Sequence, residues 1–95
     1  MASSDANESK QYPVSGQLFF GSIARFTESF NYSGDPQYVA IDFHQAQVWD
    51  FTAATAISKV IARYQKLDKH VIVLGLSQES QSFMLKVGFP ENAIF

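Results

Sequence analysis

The sequence predicts an α/β fold with a mainly parallel β-sheet. Three strand-like segments alternate along the chain with three segments of helical periodicity. Two of the strand-like segments, YVAIDF at 38–43 and HVIVL at 70–74, are short apolar runs of the kind that a parallel sheet buries on both faces. Strands that alternate with helices are joined by right-handed crossovers, and such connections make neighbouring strands parallel.

Length and composition predict one small domain. The chain has 95 residues, of which 46% are hydrophobic and 15% aromatic, enough for a modest core. It contains no cysteine, which excludes disulfides and thiolate metal sites. The net charge is -2 and the seven basic residues are scattered along the sequence, so we expect no nucleic-acid partner. The apolar runs are far shorter than the roughly 20 residues of a membrane-spanning helix, so this chain is not expected to span a membrane.

The first strand is expected near the amino terminus. The first ten residues, MASSDANESK, are polar, so we expect a linker or the edge of the chain at 1–10 and a domain at 11–95. Within that domain, residues 11–20 should form a strand that is bent or bulged at Gly16. Pro13 has no amide hydrogen to donate to a neighbouring strand, which places this strand near an edge of the sheet.

A short helix and the second strand follow. Ser22 is the expected N-cap of the helix, because Ile23, Phe26 and Phe30 come after it at helical spacing. The turn-forming residues at 33–36 end this segment, and the strand at 38–43 comes next. The polar residues after that strand predict a loop from His44 to Trp49.

The second helix has the clearest pattern in the chain. Asp50 is its expected N-cap. One face carries an apolar stripe, and Ser58, Lys59, Arg63 and Lys66 face away from it. The stripe consists of Ala53, Ala56, Ile57, Val60, Ile61, Tyr64 and Leu67.

The strand at 70–74 and a third helix complete the alternation. Gly75 lets the chain turn away at the end of the strand, and Ser77 is the expected cap of the helix. The helix should bury an apolar group and stop at Gly88 and Pro90, before a final short strand that includes Ile94 and Phe95. The apolar group consists of Phe83, Met84, Leu85 and Val87.

Asp50-Phe51-Thr52, where the second helix begins, is the main candidate for a functional site. Capping and the helix dipole together are worth roughly 1 kcal/mol, which suffices to explain Asp50. A phosphate on Thr52 would meet free backbone amides at the positive end of the helix, so Thr52 is also a candidate regulatory site. Trp49, just before the cap, is either packed or half of a contact surface.

We expect no catalytic, metal or cofactor site. His44 and His70 have no repeated spacing and no cysteine to join them, so neither predicts a metal site. Asp42 has no acid, base or nucleophile near it in the sequence. The glycines match no phosphate-binding pattern, and Phe19 and Phe20 are interpreted as core residues. We therefore expect a protein that is not an enzyme.

Four stretches in this order resemble a STAS domain, which has the SpoIIAA-like α/β fold. They are GQLFFGS at 16–22, the strand at 39–43, Asp50-Phe51-Thr52-Ala53 and VIVLGL at 71–76. The first looks like the STAS domain at the cytoplasmic C-terminus of SulP-type anion transporters, the sulfate permease family. The resemblance covers residues 11–88. Family members continue into a further C-terminal helix, so this last element is expected to be cut off or absent here.

The resemblance implies a domain on the cytoplasmic side of the membrane that contributes to transporter assembly or regulation. Its partners would be the transmembrane domain of the same transporter and a cytoplasmic regulatory protein. The alternative is a stand-alone anti-sigma-factor antagonist, a class in which a serine at the start of the second helix is phosphorylated. Thr52 falls on that position, although Phe51 and Ala53 depart from the family pattern. The partner surface expected in this region comprises His44, Gln45, Gln47, Trp49 and Asp50.

Overall fold

The computed structural model describes residues 9–89, which form three strands and three helices in the predicted alternation. The predicted stop at Pro90 and the predicted strand at Ile94 and Phe95 lie outside these residues. In chain order the elements are β1 (Ser9–Leu18), α1 (Ile23–Thr27), β2 (Tyr38–Val48), α2 (Phe51–Lys66), β3 (His70–Leu74) and α3 (Gln78–Lys86).

The three strands form one parallel sheet in the order β1-β2-β3. In the described part of the chain β1 is therefore an edge strand, as Pro13 predicts. Ser9 pairs with Tyr38, and Tyr38 pairs with His70, so these three residues mark one end of the sheet. Because β1 begins at Ser9, the strand includes the last two residues of the segment interpreted as a linker.

The predicted loop from His44 to Trp49 is wrong, because β2 continues to Val48. The pairing moves from Pro13 opposite Asp42 to Ser15 opposite Gln45, so β2 gains one residue relative to β1. This extra residue is a β-bulge, and the bulge lies in β2 rather than at Gly16. Gly16 pairs with Ala46 and has a positive φ of 89°.

The bulge explains why the sequence of β2 does not look like one strand. Val39, Ile41 and Phe43 are buried before the bulge, and Ala46 and Val48 are buried after it. The extra residue shifts the alternation by one position, so both groups face the same side of the sheet. On the opposite face the structure leaves Tyr38 and Ile72 exposed, so the expected burial of these strands on both faces is wrong.

Helix α2 packs its apolar stripe into the core, as predicted. Its buried side chains are Ala53, Ala54, Ile57, Val60, Ile61 and Tyr64. Leu67 was expected in the stripe but is exposed, because the helix ends at Lys66 and Leu67 is its C-cap. Ser58 was expected to face away from the core, yet its hydroxyl oxygen is buried and has no hydrogen-bond partner among the described residues.

Helices α1 and α3 depart from prediction in details. The Ser22 hydroxyl does not cap α1 but accepts from the Phe19 amide (3.2 Å) and donates to the Gln17 carbonyl (2.8 Å). Phe30 lies beyond α1, which ends at Thr27, and is buried all the same. Ser77 caps α3 by accepting from the Ser80 amide (3.1 Å), whereas Leu85, expected in the apolar group, is exposed.

Candidate functional site

The start of α2 is a rigid junction between three segments of the chain. One carboxylate oxygen of Asp50 accepts from the Ala53 amide (2.8 Å), and the other accepts from the Phe20 amide (3.1 Å). The Trp49 amide donates to the Leu18 carbonyl (2.8 Å), which joins the same two loops a second time. Asp50 therefore caps α2 and also fixes the loop between β1 and α1. Both of its oxygens already accept hydrogen bonds, which suits a structural role.

Five aromatic residues surround this junction, and three of them are exposed. We call them the aromatic surface: Phe19, Phe20, Trp49, Phe51 and Phe83. The exposed fractions are 74% for Phe20, 55% for Trp49 and 50% for Phe51. The Phe19 ring lies 6.0 Å from that of Phe20 and 5.9 Å from that of Trp49. The rings of Phe51 and Phe83 meet edge to face at 5.0 Å.

The sequence interpretation of Phe19 and Phe20 as core residues is wrong. Phe20 is the most exposed large hydrophobic side chain among residues 9–89, and Phe19 is only half-buried. Both follow the last residue of β1, where alternation no longer directs them into the core. The signal for this was available, because Gly21 and Ser22 directly after the two aromatic residues indicate a turn. Phe51 was likewise missed, since it was read only as a departure from a family pattern.

Thr52 lies in the first turn of α2, beside the aromatic surface. It is exposed, and its hydroxyl has no hydrogen-bond partner in the part of the chain that the structure describes. The first turn of α2 contains no acidic residue. Although Asp50 already accepts from the Ala53 amide, the positive end of the helix dipole would still favour an added negative charge here.

Gln47 is joined to α3. Its side-chain carbonyl oxygen accepts from the Ser77 hydroxyl (2.6 Å) and from the Ser80 hydroxyl (3.2 Å). The fully buried Ser80 also accepts from the Val48 amide (3.0 Å), and so it binds the edge of β2 beyond the last residue of β3. This network holds α3 against β2. It leaves only the amide group of Gln47 for a partner.

His44 and Gln45 lie at the β2 bulge, about 15 Å along the strand from the start of α2. His44 donates its backbone amide to Asp42 (2.9 Å) and places its Nδ1 2.6 Å from the same carboxylate oxygen. These bonds, with the backbone amide the larger contribution, lower the pKa of Asp42. The structure thus brings together Trp49, Asp50 and Thr52 and separates them from His44 and Gln45.

The described residues indicate neither a metal-binding site nor a membrane-spanning helix. Between positions 9 and 89 no three histidine, aspartate or glutamate side chains come close enough to hold a metal ion. No helix in that range has the length and apolar character needed to cross a bilayer.

Comparison with known proteins identifies the family. A STAS domain model matches residues 5–93. The putative sulfate transporter YbaR of Bacillus subtilis is 36% identical over 75 residues, which cover 79% of this chain but only 16% of that protein. The chain thus spans about one sixth of the length of this curated relative.

Two solved structures have the same fold. The antisigma-factor antagonist STAS domain from Rhodobacter sphaeroides is 25% identical, with a TM-score of 0.70 over 82% of this chain and 85% of that chain. The SulP transporter STAS domain from Vibrio cholerae is 19% identical, with a TM-score of 0.68 over 92% of this chain and 72% of that chain. The fold predicted from the four sequence stretches is confirmed, and the chain belongs to the STAS domain family.

Proposed function

We propose that this chain is the non-enzymatic regulatory and interaction domain of a SulP-type sulfate or other anion permease, on the cytoplasmic side of the membrane. The observation that carries the proposal is the match to YbaR, a putative sulfate transporter, at 36% identity over most of this chain. That match occupies 16% of the relative. We expect a small domain attached to a much larger transporter to contribute to its assembly or regulation. The transport site would then lie in the transmembrane domain.

The aromatic surface supplies a contact for such a role. Phe20, Trp49 and Phe51 are large exposed side chains on a backbone that the Asp50 hydrogen bonds fix, so a partner that covers them has little backbone to order. The one charged group at the junction, Asp50, already accepts two backbone hydrogen bonds. We infer an apolar partner surface, supplied by the transmembrane domain of the same transporter or by a cytoplasmic regulatory protein.

Anion uptake by the full transporter tests this proposal. Cells that lack their own sulfate uptake would carry either the intact transporter or a form without residues 11–95, at matched membrane expression. We expect the shortened form to lose regulated uptake or correct assembly. Unchanged uptake, assembly and regulation in the shortened form would contradict the proposal.

A second candidate function is a partner switch controlled by phosphorylation of Thr52. It is favoured by the similarity to the Rhodobacter sphaeroides antagonist, which at 25% identity matches along most of both chains. The exposed Thr52 hydroxyl at the start of α2 is suitably placed for a kinase. Incubation of the chain with cell extract and ATP, followed by mass spectrometry, tests this candidate. A phosphate on Thr52 supports it, and phosphate absent from Thr52 under conditions that label a known antagonist contradicts it.

A further inference from the structure

The solvent-facing side of α2 carries a basic stripe of three residues, which the helical pattern already places away from the core. Lys59, Arg63 and Lys66 are all exposed. At 3.6 residues per turn they fall within an arc of about 60° opposite the buried face, over a length of about 10 Å. Helix α2 contains no aspartate or glutamate, and none of the three residues forms an ion pair within residues 9–89.

The requirements of the helix explain only part of this stripe. Arg63 and Lys66 lie in the last turn, where the helix dipole favours a positive charge. Lys59 lies two turns before the end and has no acidic neighbour on the helix to pair with. The stripe is therefore a concentration of positive charge on a chain whose net charge is -2.

A cavity of about 440 Å³ lies beside the basic end of the stripe. Arg63 and Lys66 line one side of it, and Phe30, Tyr32 and the exposed Leu67 supply apolar surface. The Arg63 guanidinium is held over the Tyr32 ring at 4.6 Å. Cations beside an apolar floor match the chemistry of a phospholipid, which has a phosphate group next to hydrocarbon.

The direction of the chain brings this end of α2 close to the point where the polypeptide enters the domain. Lys66 is four residues before His70, and His70 lies at the same end of the sheet as Ser9. If the preceding polypeptide is a transmembrane domain, as the proposed function holds, the basic stripe lies at the membrane-proximal end.

We propose that the basic stripe docks on the anionic lipid headgroups of the membrane surface; this inference rests on the proposed function. Each lysine or arginine near an anionic leaflet strengthens binding about fivefold. Three such residues give weak binding to a free domain. The same contact is sufficient when the domain is tethered, because the effective concentration of the lipid surface is then high.

Vesicle co-sedimentation of the 95-residue chain tests the proposal without any transporter. The vesicles would be phosphatidylcholine alone, or phosphatidylcholine with about 30% phosphatidylglycerol, in low and high salt. We expect partitioning only onto the anionic vesicles in low salt. The triple variant Lys59→Gln, Arg63→Gln and Lys66→Gln should lower the partition coefficient about a hundredfold.

A second triple variant is the matched control. Lys10→Gln, Arg25→Gln and Lys86→Gln removes the same charge from exposed positions outside the stripe and should retain most of the binding. Thermal melts would verify that both variants fold. Equal loss in the two variants would overturn the proposal, because net charge alone would then explain the binding.

Three other binding results would each indicate a different ligand and would also overturn the lipid proposal. Displacement by inorganic phosphate beyond that by sodium chloride of equal ionic strength would indicate a local phosphate site. Equal binding to neutral vesicles would indicate apolar adsorption, and binding only to the solubilised transporter would indicate a protein partner. Absence of binding to any vesicle overturns the lipid proposal and leaves the proposed function standing, since uptake by the full transporter measures that function separately.

Discussion

The two ends of α2 have opposite chemistry. At its start, the aromatic surface faces solvent while the charged group, Asp50, accepts hydrogen bonds from backbone amides. At its end, the aromatic Tyr64 is fully buried and donates to the buried Asp35, while Arg63 and Lys66 are exposed. One helix of about 24 Å thus separates a surface suited to apolar contact from a surface suited to electrostatic contact.

This difference teaches how the two surfaces can be told apart by experiment. Contacts between exposed charges are screened by salt, whereas burial of aromatic rings depends on it only weakly. A partner that binds the aromatic surface should remain bound in high salt. A partner that binds the basic stripe should dissociate.

The largest effect on stability is expected from the buried carboxylate at the end of α2. Asp35 Oδ2 accepts from the Tyr12 hydroxyl (2.6 Å) and from the Tyr64 hydroxyl, joining β1, the loop before β2 and α2. Asp35→Ala leaves both hydroxyls without this acceptor and should lower the free energy of unfolding by about 2–4 kcal/mol. Chemical denaturation measures this. A loss below about 0.5 kcal/mol would show that these bonds do not hold this end of α2 together.

The same cluster predicts a loss of stability at alkaline pH. Burial, followed by the hydrogen bond to Asp35, raises the pKa of Tyr64 well above its ordinary value. Neutral Tyr64 therefore stabilises the fold below about pH 10, and this contribution falls by about 1.4 kcal/mol per pH unit above it. Denaturation between pH 8 and pH 11 would measure the slope. Tyr64→Phe is the control, and an identical slope in this variant would contradict the assignment to Tyr64.

A smaller loss is expected at the start of the helix. Asp50→Ala removes the cap and the acceptor of the Phe20 amide and should cost about 1–2 kcal/mol. Asp50→Asn retains a capping oxygen but has only one acceptor, so its loss should be intermediate. Denaturation of the two variants tests this order. Unchanged stability combined with lost transport would mean that Asp50 acts in function rather than as a cap.

The aromatic surface should affect binding more than stability. Phe20→Ser should change the free energy of unfolding by about 0.5 kcal/mol or less, because Phe20 is largely exposed. Phe51→Ser also loses the ring contact with Phe83 and should cost about 1 kcal/mol. Both should weaken regulation of the full transporter, equally in low and high salt. Leu85→Ser, at an exposed leucine on α3, is the matched control. If Leu85→Ser weakens regulation as much as Phe20→Ser and Phe51→Ser do, the aromatic surface has no special role.

A small gain in stability, rather than a loss, is expected at Thr52. Thr52→Glu places a negative charge in the first turn of α2 and should stabilise the fold by about 0.3–1 kcal/mol at low salt. It should nevertheless reduce regulation of the transporter, because the charge enters the aromatic surface. Thr55→Glu is the proper control, since Thr55 is exposed one turn later, whereas the Ser58 hydroxyl is buried. Equal transport by the two variants would mean that Thr52 is only part of a capped helix start.

Periodicity predicted the order of the elements, the parallel sheet and the buried face of α2, because each depends on residues close in sequence. It failed at His44–Val48, where a bulge shifts the alternation and makes a strand resemble a polar loop. Whether a strand continues past such a break depends on its neighbour, here β1, which is distant in sequence.

The candidate site was only partly predictable, for a similar reason. Asp50 follows local capping rules and was found in its expected role. The second bond of Asp50, to the Phe20 amide, joins residues 30 positions apart, and no sequence pattern indicates it. Helical periodicity placed Lys59, Arg63 and Lys66 on the outer face of α2, whereas the cavity beside them depends on Phe30 and Tyr32, which are distant in sequence.

The bulge in β2 also determines how this domain can gain or lose residues during evolution. Deletion of His44 would restore simple pairing with β1 and keep Ala46 and Val48 on the core face, because they would then follow Phe43 at the two-residue spacing of a regular strand. A deletion in the turn at Ser33 and Gly34 would instead shift the buried Asp35 away from the Tyr12 and Tyr64 hydroxyls. Among relatives we therefore expect the loss of one residue at the bulge to be tolerated better than a change of length in the turn before Asp35.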